Sequence, residues 1–382
     1  IKTSREDNVF FDKLLQDESR IIGQLEHPSI PPIYDIIGRD VILKWLEGDT
    51  LLLKMEEWFA QDMNVDYSIP VLLKVCDAVA YAHANNVIHR DIKPENIMIC
   101  EYGAVYLLDW GIAIDRKSRR VISDQPMKSI QPVVGTLHYM APEMLGENPT
   151  DDVDERTDIY LLGATLHEIL TGKKRHQGRN LPEVLEQIEK SEPYKYDEEL
   201  YMFGQICNRA CSRKKEDRYP SIKEFTIALS ACFEAWKQRS LLDQGCAMLE
   251  ELEAIEQGQL NFEESSSKDS LGLDQLHLFQ LYMQTRSAFE GYLFHEPTNE
   301  LALEGNRKAS EVLFKYFLAK EQLQNALLMS NILGEYSDDL RDQLDRLQKK
   351  KREQDALFQR YNLLKILTGI LFVIIVVLAF SL

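Results

Sequence analysis

The sequence predicts an α+β domain, then an all-α region, then one terminal apolar helix. Three observations carry this. Short apolar runs of strand type are interleaved with amphipathic helical stretches up to residue 236. From residue 237 onward the pattern is helical and polar, interrupted by a Ser- and Glu-rich linker. From Ile366 to Leu382 there is no charged residue. The expected divisions are therefore 1–236, a helix and linker over 237–275, a helical region over 276–362, and a membrane-spanning helix over 363–382.

The elements follow in order. Leu14, Leu15, Glu18, Ile21, Ile22 and Leu25 describe a helix that ends before His27-Pro28. Ile30 to Ile37 and Val41 to Leu46 read as two strands joined at Gly38-Arg39-Asp40. Leu72, Val75, Cys76, Val79 and His83 recur at helical spacing, and Asn85-Asn86 stops that helix. Val87-Ile88 is a short buried strand. After the polar loop His89 to Asn96, the runs Ile97-Met98-Ile99 and Val105 to Leu108 form a hairpin turning at Tyr102-Gly103. That hairpin delivers Asp91, Asn96 and Asp109 to one spot. Such a set suits phosphoryl transfer, where positioning and charge neutralisation by metal ions supply most of the catalysis.

Asp115 to Pro132 is polar, basic and rich in Ser, without apolar periodicity, and reads as a mobile loop. Asp158 opens an apolar helix running to about Leu170, with Thr171-Gly172 as its stop. Leu181 to Ile188, Leu200 to Cys211 and Leu241 to Gln257 continue as helices, and Glu263 to Lys268 is the linker. A further helix carries Ala309, Val312, Leu313, Tyr316, Leu323 and Leu327 on one face. Leu340, Leu344 and Leu347 begin a heptad seam that Lys351 and Gln354 interrupt.

A chain of 382 residues has room for two domains, and its formal charge of −18 argues against nucleic-acid binding, which requires basic surface. Six cysteines lie scattered without a metal-ligand pattern. Cys207 and Cys211 share a helix face and read as small core residues, in keeping with a reducing, cytosolic compartment. Lys349 to Arg352, Arg360 and Lys365 precede the apolar terminus. Extended by Leu363-Leu364 with Lys365 snorkelling, that run suffices at about 1.5 Å per residue for a core of about 30 Å, with the basic side cytoplasmic. The expectation is a single-pass protein of the cell membrane.

His89 to Asn96 resembles the protein-kinase catalytic loop H-R-D-x-x-x-x-N. Asp109-Trp110-Gly111 resembles the D-F-G motif with Trp for Phe, and Ala141-Pro142-Glu143 closes an A-P-E motif. Three linked motifs in the family's order are far more specific than any one alone. The resemblance implies the two-lobed protein-kinase fold. Its first small-lobe strands and glycine-rich phosphate loop are expected upstream of Ile1, and both ends of the sequence look cut. It also implies a membrane-anchored serine/threonine kinase similar to the bacterial receptor-like type, using ATP with Mg²⁺ or Mn²⁺.

Roles follow from the matched positions. Asp91 would orient the substrate hydroxyl and accept its proton, and Lys93 would meet the transferring phosphate. Arg90 would capture a phosphate on Ser118, Ser123 or Ser129 of the activation segment. Asn96 and Asp109 would bind the metal. Lys2 would hold the α- and β-phosphates with Glu18 as its partner. Leu43 would be the gatekeeper, Lys44, Trp45 and Leu46 the hinge that receives adenine through backbone, and Met98 part of the apolar floor. Gly135 to Tyr139 resembles the substrate-seating segment of serine/threonine kinases. Asp158 would fix the catalytic loop through its backbone, and Arg218 would pair with Glu143. The implied partners are protein substrates with Ser or Thr acceptors, the membrane, and a second copy for phosphorylation in trans, with no nucleic acid. Ala288 to Phe294 followed by Pro297, Asn299 and Ala302 resembles one tetratricopeptide-like unit. The rival is a catalytically silent pseudokinase scaffold acting through its helical region. Intact Asp91, Asn96 and Asp109 argue against it.

Overall fold

The computed structural model describes residues 2–3, 9–37, 40–61, 64–116, 120–121, 137–146, 152–257 and 270–379, of which 2–3, 9–14, 17, 120–121, 270–275 and 371–379 are described by backbone alone. The chain divides into two compact units, 1–234 and 235–382.

The first unit opens with β1 (Lys2–Thr3), α1 (Val9–Ile22), β2 (Ile33–Ile37) and β3 (Asp40–Leu43). The strands form an antiparallel sheet in the order β1-β3-β2, with Lys2 opposite Val41. Both β2 and β3 are shorter than the apolar runs implied. Pro31 and Pro32 have no N–H to give a ladder, so pairing starts at Ile33 opposite Leu43. One further bond, Lys44 N–H to the Pro32 carbonyl at 3.1 Å, closes the pair, and Lys44 to Glu47 run on as an irregular link.

Next come β4 (Gly48–Thr50), α2 (Leu51–Ala60), α3 (Asn64–Ala84) and β5 (Val87–Ile88). Thr50 caps α2 by accepting from the Leu53 N–H. β6 (Ile97–Cys100) and β7 (Val105–Leu107) are the expected hairpin, turning through left-handed Tyr102 and Gly103. β4 pairs with β6, and β8 (Ile114–Asp115) lies between β5 and β9 (Arg120–Val121). Gly48 allows β4 to lie this close, since a Cβ there would sit 2.1 Å from the Ile99 carbonyl oxygen.

α4 (Glu155–Thr171) is the pillar of the first unit. It is buried on every face from Thr157 to Leu170, capped by Asp154 and ended by Gly172 at φ 66°. α5 (Leu181–Lys190) and α6 (Tyr201–Ala210) follow, and α3 and α6 both pack against α4. A Cβ on Gly163 would meet Ala210 Cβ at 2.7 Å and Cys211 Sγ at 2.9 Å, so the α4–α6 crossing depends on that glycine. Cys207 and Cys211 are buried free thiols, and Cys207 Sγ donates to the Gly163 carbonyl.

α7 (Ile222–Glu256) is followed by α8 (Ser270–His295), α9 (Glu300–Ala319), α10 (Leu323–Leu333) and α11 (Asp338–Ala379). Leu252, Leu281, Val312, Phe314 and Met329 form the core of the second unit. The helix expected across Ala309 to Leu327 is in fact two helices. Glu321 adopts φ 54°, the Gln322 N–H turns back to the Phe317 carbonyl, and α10 starts afresh at Leu323. Asn299 caps α9 through the Ala302 N–H. Among the described residues no helix is long and apolar enough to cross a membrane. Of the span expected over 363–382, the last three residues lie outside the described residues.

Candidate active site

The catalytic loop between β5 and β6 is held from below by Asp158, in the first turn of α4 and fully buried. Its Oδ2 accepts from the His89 N–H at 2.9 Å and its Oδ1 from the Arg90 N–H at 2.8 Å. His83, at the end of α3, adds a bond to Oδ2 at 2.7 Å. Burial alone would raise the Asp158 pKa. The hydrogen bond and charge of His83, with the bond from the Arg90 backbone, outweigh that and hold it below the usual carboxylate range. This anchoring keeps Arg90 in the left-handed region at φ 72°, a conformation that a β-carbon disfavours.

His89 is buried and neutral, its pKa lowered by desolvation. Its Nδ1 accepts from the Asp91 N–H at 3.1 Å, so Nε2 carries the proton and meets the Leu108 carbonyl at 3.1 Å. One ring thus ties the loop to the strand that leads into Asp109. Trp110 fills the space beneath. It is fully buried, edge-on to His89 at 4.4 Å between ring centres, and its indole N–H finds the Leu107 carbonyl at 3.1 Å. The Trp for Phe exchange therefore adds a donor that is already satisfied.

Asp91 is fixed on two sides. Lys93 Nζ reaches its two carboxylate oxygens at 2.9 and 2.7 Å, and Asn96 Nδ2 donates to Oδ2 and to the Asp91 carbonyl, both at 2.8 Å. With its amide nitrogen committed, Asn96 keeps its side-chain oxygen for another ligand. The Leu108 N–H bonds the Asn96 carbonyl at 2.7 Å, which sets Asn96 beside the residue preceding Asp109. Asp109 has φ 59° and an exposed carboxylate, and among the described residues takes a long bond from Gly111 N–H at 3.4 Å. Two hard oxygen ligands from the protein suit an octahedral cation that completes its shell with phosphate oxygens and water. Asn96 and Asp109 fit a divalent ion of that kind.

The other expected positions are placed less completely. Glu18 is buried on α1, with its Oε2 3.9 Å from the point a Cβ on Gly111 would occupy, so its carboxylate faces the Asp109–Gly111 turn. Lys2 lies on β1, and its side chain lies outside the described residues. Met98 is half-buried on β6, opposite both Thr50 and Tyr106. Lys44 turns away from the link between the sheets, its Nζ bonded to Tyr106 Oη at 2.6 Å, and Trp45 is 83% exposed. Ser118, Ser123 and Ser129 lie outside the described residues. Glu143 and Arg218 pair as expected, at 2.7 and 2.8 Å. His83 was legible only as a helix-face residue. Its position just ahead of the Asn85-Asn86 stop is the one signal that marked it for the loop.

Asp158→Asn should expose what anchoring contributes. An amide in place of one carboxylate oxygen turns N–H groups toward a backbone N–H, and about 1.5–3 kcal/mol of stability should be lost with one charged hydrogen bond. Denaturant melts measure that loss. An unchanged midpoint would mean that the loop holds its shape without Asp158.

The fold and this loop define a domain of the protein-kinase class. The model of the protein kinase domain family matches residues 1–235, more than half of the chain, and the chain belongs to the protein kinase family. Family membership brings with it the use of ATP and a divalent metal. Among curated proteins, the chain is similar to serine/threonine-protein kinase PknD of Protochlamydia amoebophila, at 35% identity over 54% of this chain and 24% of that protein. It is also similar to the proteins of the same name from Chlamydia muridarum, at 30% over 63% and 29%, and Chlamydia trachomatis serovar L2b, at 33% over 60% and 28%. The chain thus spans less than a third of the length of these relatives.

Proposed function

We propose that this chain transfers the γ-phosphate of Mg-ATP to Ser and Thr hydroxyls of proteins. The observation that carries the reading is the doubly fixed Asp91 carboxylate, held by Lys93 and Asn96 on a loop pinned by Asp158. Asp91 receives the hydroxyl proton, and the oriented carboxylate makes the attacking oxygen available along one line. Lys93, already at that carboxylate, carries positive charge to the phosphoryl oxygens. Asn96 and Asp109 hold Mg²⁺, which neutralises charge on the phosphates when bound. Lys2 and Glu18 place the α- and β-phosphates, and the link 44–46 with Met98 takes the base. Buried Arg90, whose Nε and one Nη have no hydrogen-bond partner among the described residues, is the group that a phosphorylated activation segment would satisfy. The similarity to serine/threonine kinases supports the choice of acceptor. Incubation of the full chain with labelled ATP, Mg²⁺ and a Ser/Thr-rich protein should give labelled phosphoserine or phosphothreonine, lost on chelation. Folded protein that transfers no label would end this reading.

We also propose that the end of α11 anchors the chain to the cell membrane, with the kinase unit cytoplasmic and paired copies phosphorylating each other. The support is a run of apolar side chains left in the open on α11, Leu357, Phe358, Leu363, Leu364, Ile366 and Leu367 among them, just after the basic Lys349 to Arg352. Flotation of the full chain with anionic lipid vesicles should carry it to the lipid layer. Recovery in the lipid-free layer would remove the anchor.

A further inference from the structure

The loop that leaves α4 is a basic stretch in an acidic chain. Lys173, Lys174, Arg175, His176 and Arg179 crowd between Thr171 and Arg179, in a protein of formal charge −18. Arg175 and His176 are used inside the fold. Arg175 is buried with a bond to the Glu192 carbonyl, and His176 lies against the Tyr160 hydroxyl and the Met140 carbonyl. Burial pushes the His176 pKa down to about 3, with the Arg175 charge acting in the same direction, so His176 contributes no cation. Lys173, Lys174 and Gln177 point the other way and line an open notch of about 330 Å³ with His138 and Gly178.

The walls of this notch are built. The His138 carbonyl accepts from the His176 N–H at 3.1 Å, and its ring Nδ1 bonds the His176 carbonyl. A Cβ on Gly178 would lie 2.8 Å from both Glu183 Cβ and Val184 N, so that wall has no space for a side chain. Among the described residues no carboxylate lines the notch. The Glu183 carboxylate beside it is engaged by Arg179 N–H at 2.8 Å and Asn180 Nδ2 at 3.1 Å. Lys174 stands 3.9 Å from Glu95, which sits in the one-turn helix Pro94–Asn96, next to the residue that holds the Asp91 carboxylate. Among the described residues no carboxylate pairs with Lys173. A cationic, rigid-walled notch therefore opens beside the catalytic loop.

We infer that this notch receives an anionic side chain of the protein substrate, so that acceptor residues flanked by a carboxylate or a phosphate are favoured. The inference rests on the kinase reading above and adds the chemistry of the substrate. The Lys173 ammonium, with Lys174 beside it already paired to Glu95, strengthens binding of the flanking residue and leaves the chemical step alone, so the preference belongs in KM.

The test uses the full chain with Mg-ATP and peptides that carry one Ser acceptor in a neutral background. Asp, phosphoserine, Ala or Lys is stepped through the flanking positions. At one flank, Asp should raise kcat/KM over Ala about two- to fivefold, the worth of an exposed ion pair, chiefly through KM. Lys there should lower it, and salt should flatten the difference. A gain with Asp identifies a carboxylate as the natural feature, and a gain confined to phosphoserine identifies a previously phosphorylated substrate. Either supports the notch. Lys173→Glu should reverse the order of Asp and Lys, a ratio read within one preparation and therefore insensitive to how much of the variant folds. Transfer to the Ala peptide by the unaltered chain establishes the kinase reading independently, and its absence would sink that reading. Transfer that is equal for all four peptides, or a preference that Lys173→Glu leaves unchanged, overturns the notch alone.

Discussion

Asp91→Asn is expected to lower kcat by about 10²–10⁴-fold, the usual worth of a positioned general base, while nucleotide affinity stays close to that of the unaltered chain. The substitution keeps the shape of the side chain. Asn96 Nδ2, now 2.8 Å from Asp91 Oδ2, retains its backbone acceptor at the Asp91 carbonyl. What is lost is the negative charge that Lys93 reaches at 2.7 and 2.9 Å and the capacity to take a proton. Neither belongs to the metal ligands or to the link 44–46, so a fall in kcat without a fall in nucleotide binding separates Asp91 from them. Asp109→Asn makes the contrast, since weakening a hard oxygen ligand should impair metal-dependent nucleotide binding itself. Single-turnover transfer and a nucleotide titration measure the two quantities. Full turnover by the Asn variant would remove Asp91 from its role as base.

The parts of this molecule that were legible in the sequence are those whose partners lie close along the chain. The β6–β7 hairpin shows as two apolar runs about a Tyr-Gly turn, and the loop ahead of it carries its polar residues at fixed spacing. What failed to show depends on distant contacts. His83 reads as one more residue on a helix face, because the carboxylate it serves, Asp158, is 75 positions away. Lys44 reads as part of a strand, whereas pairing stops after its one bond to the Pro32 carbonyl and its amine goes to Tyr106, 62 positions on. The break at Glu321 is invisible to periodicity because apolar residues continue on both sides of it, and only the backbone turn interrupts the helix. α4 was legible as helix through its stop at Thr171-Gly172, but burial on every face erased the amphipathic stripe that would have shown its neighbours.

Arg218→Ala should cost about 3–5 kcal/mol of stability, the range for breaking a buried ion pair from one side. Arg218 is 1% exposed and every donor of its guanidinium is used. Nε meets the Ser212 carbonyl at 2.8 Å, and Nη1 meets Glu143 and the Arg156 carbonyl at 2.7 and 3.0 Å. Nη2 meets Glu143 and the Arg213 carbonyl at 2.8 and 3.3 Å, and the plane lies over Tyr160. Truncation leaves the Glu143 carboxylate with Thr157 as its one side-chain donor among the described residues, at 2.7 Å, and three backbone carbonyls short of a donor. For that reason, replacing Glu143 and Arg218 together by apolar residues should recover only part of the loss. Burial opposes ionisation of Glu143, but Arg218 prevails and holds its pKa below the ordinary value. Half-buried Asp154, held by Arg156 and Lys215 against its own desolvation, lies at about 2. Groups shifted in this direction bind protons more readily when unfolded. Their stabilisation is complete above the ordinary carboxylate pKa of about 4 and disappears as pH falls through the lowered values. Stability measured from pH 7 down to pH 2 should therefore fall steeply in the unaltered chain below about pH 4 and less steeply in Arg218→Ala, which has already lost the Glu143 share. Parallel curves for the two proteins would show that the pair does not set the acid limit of the fold.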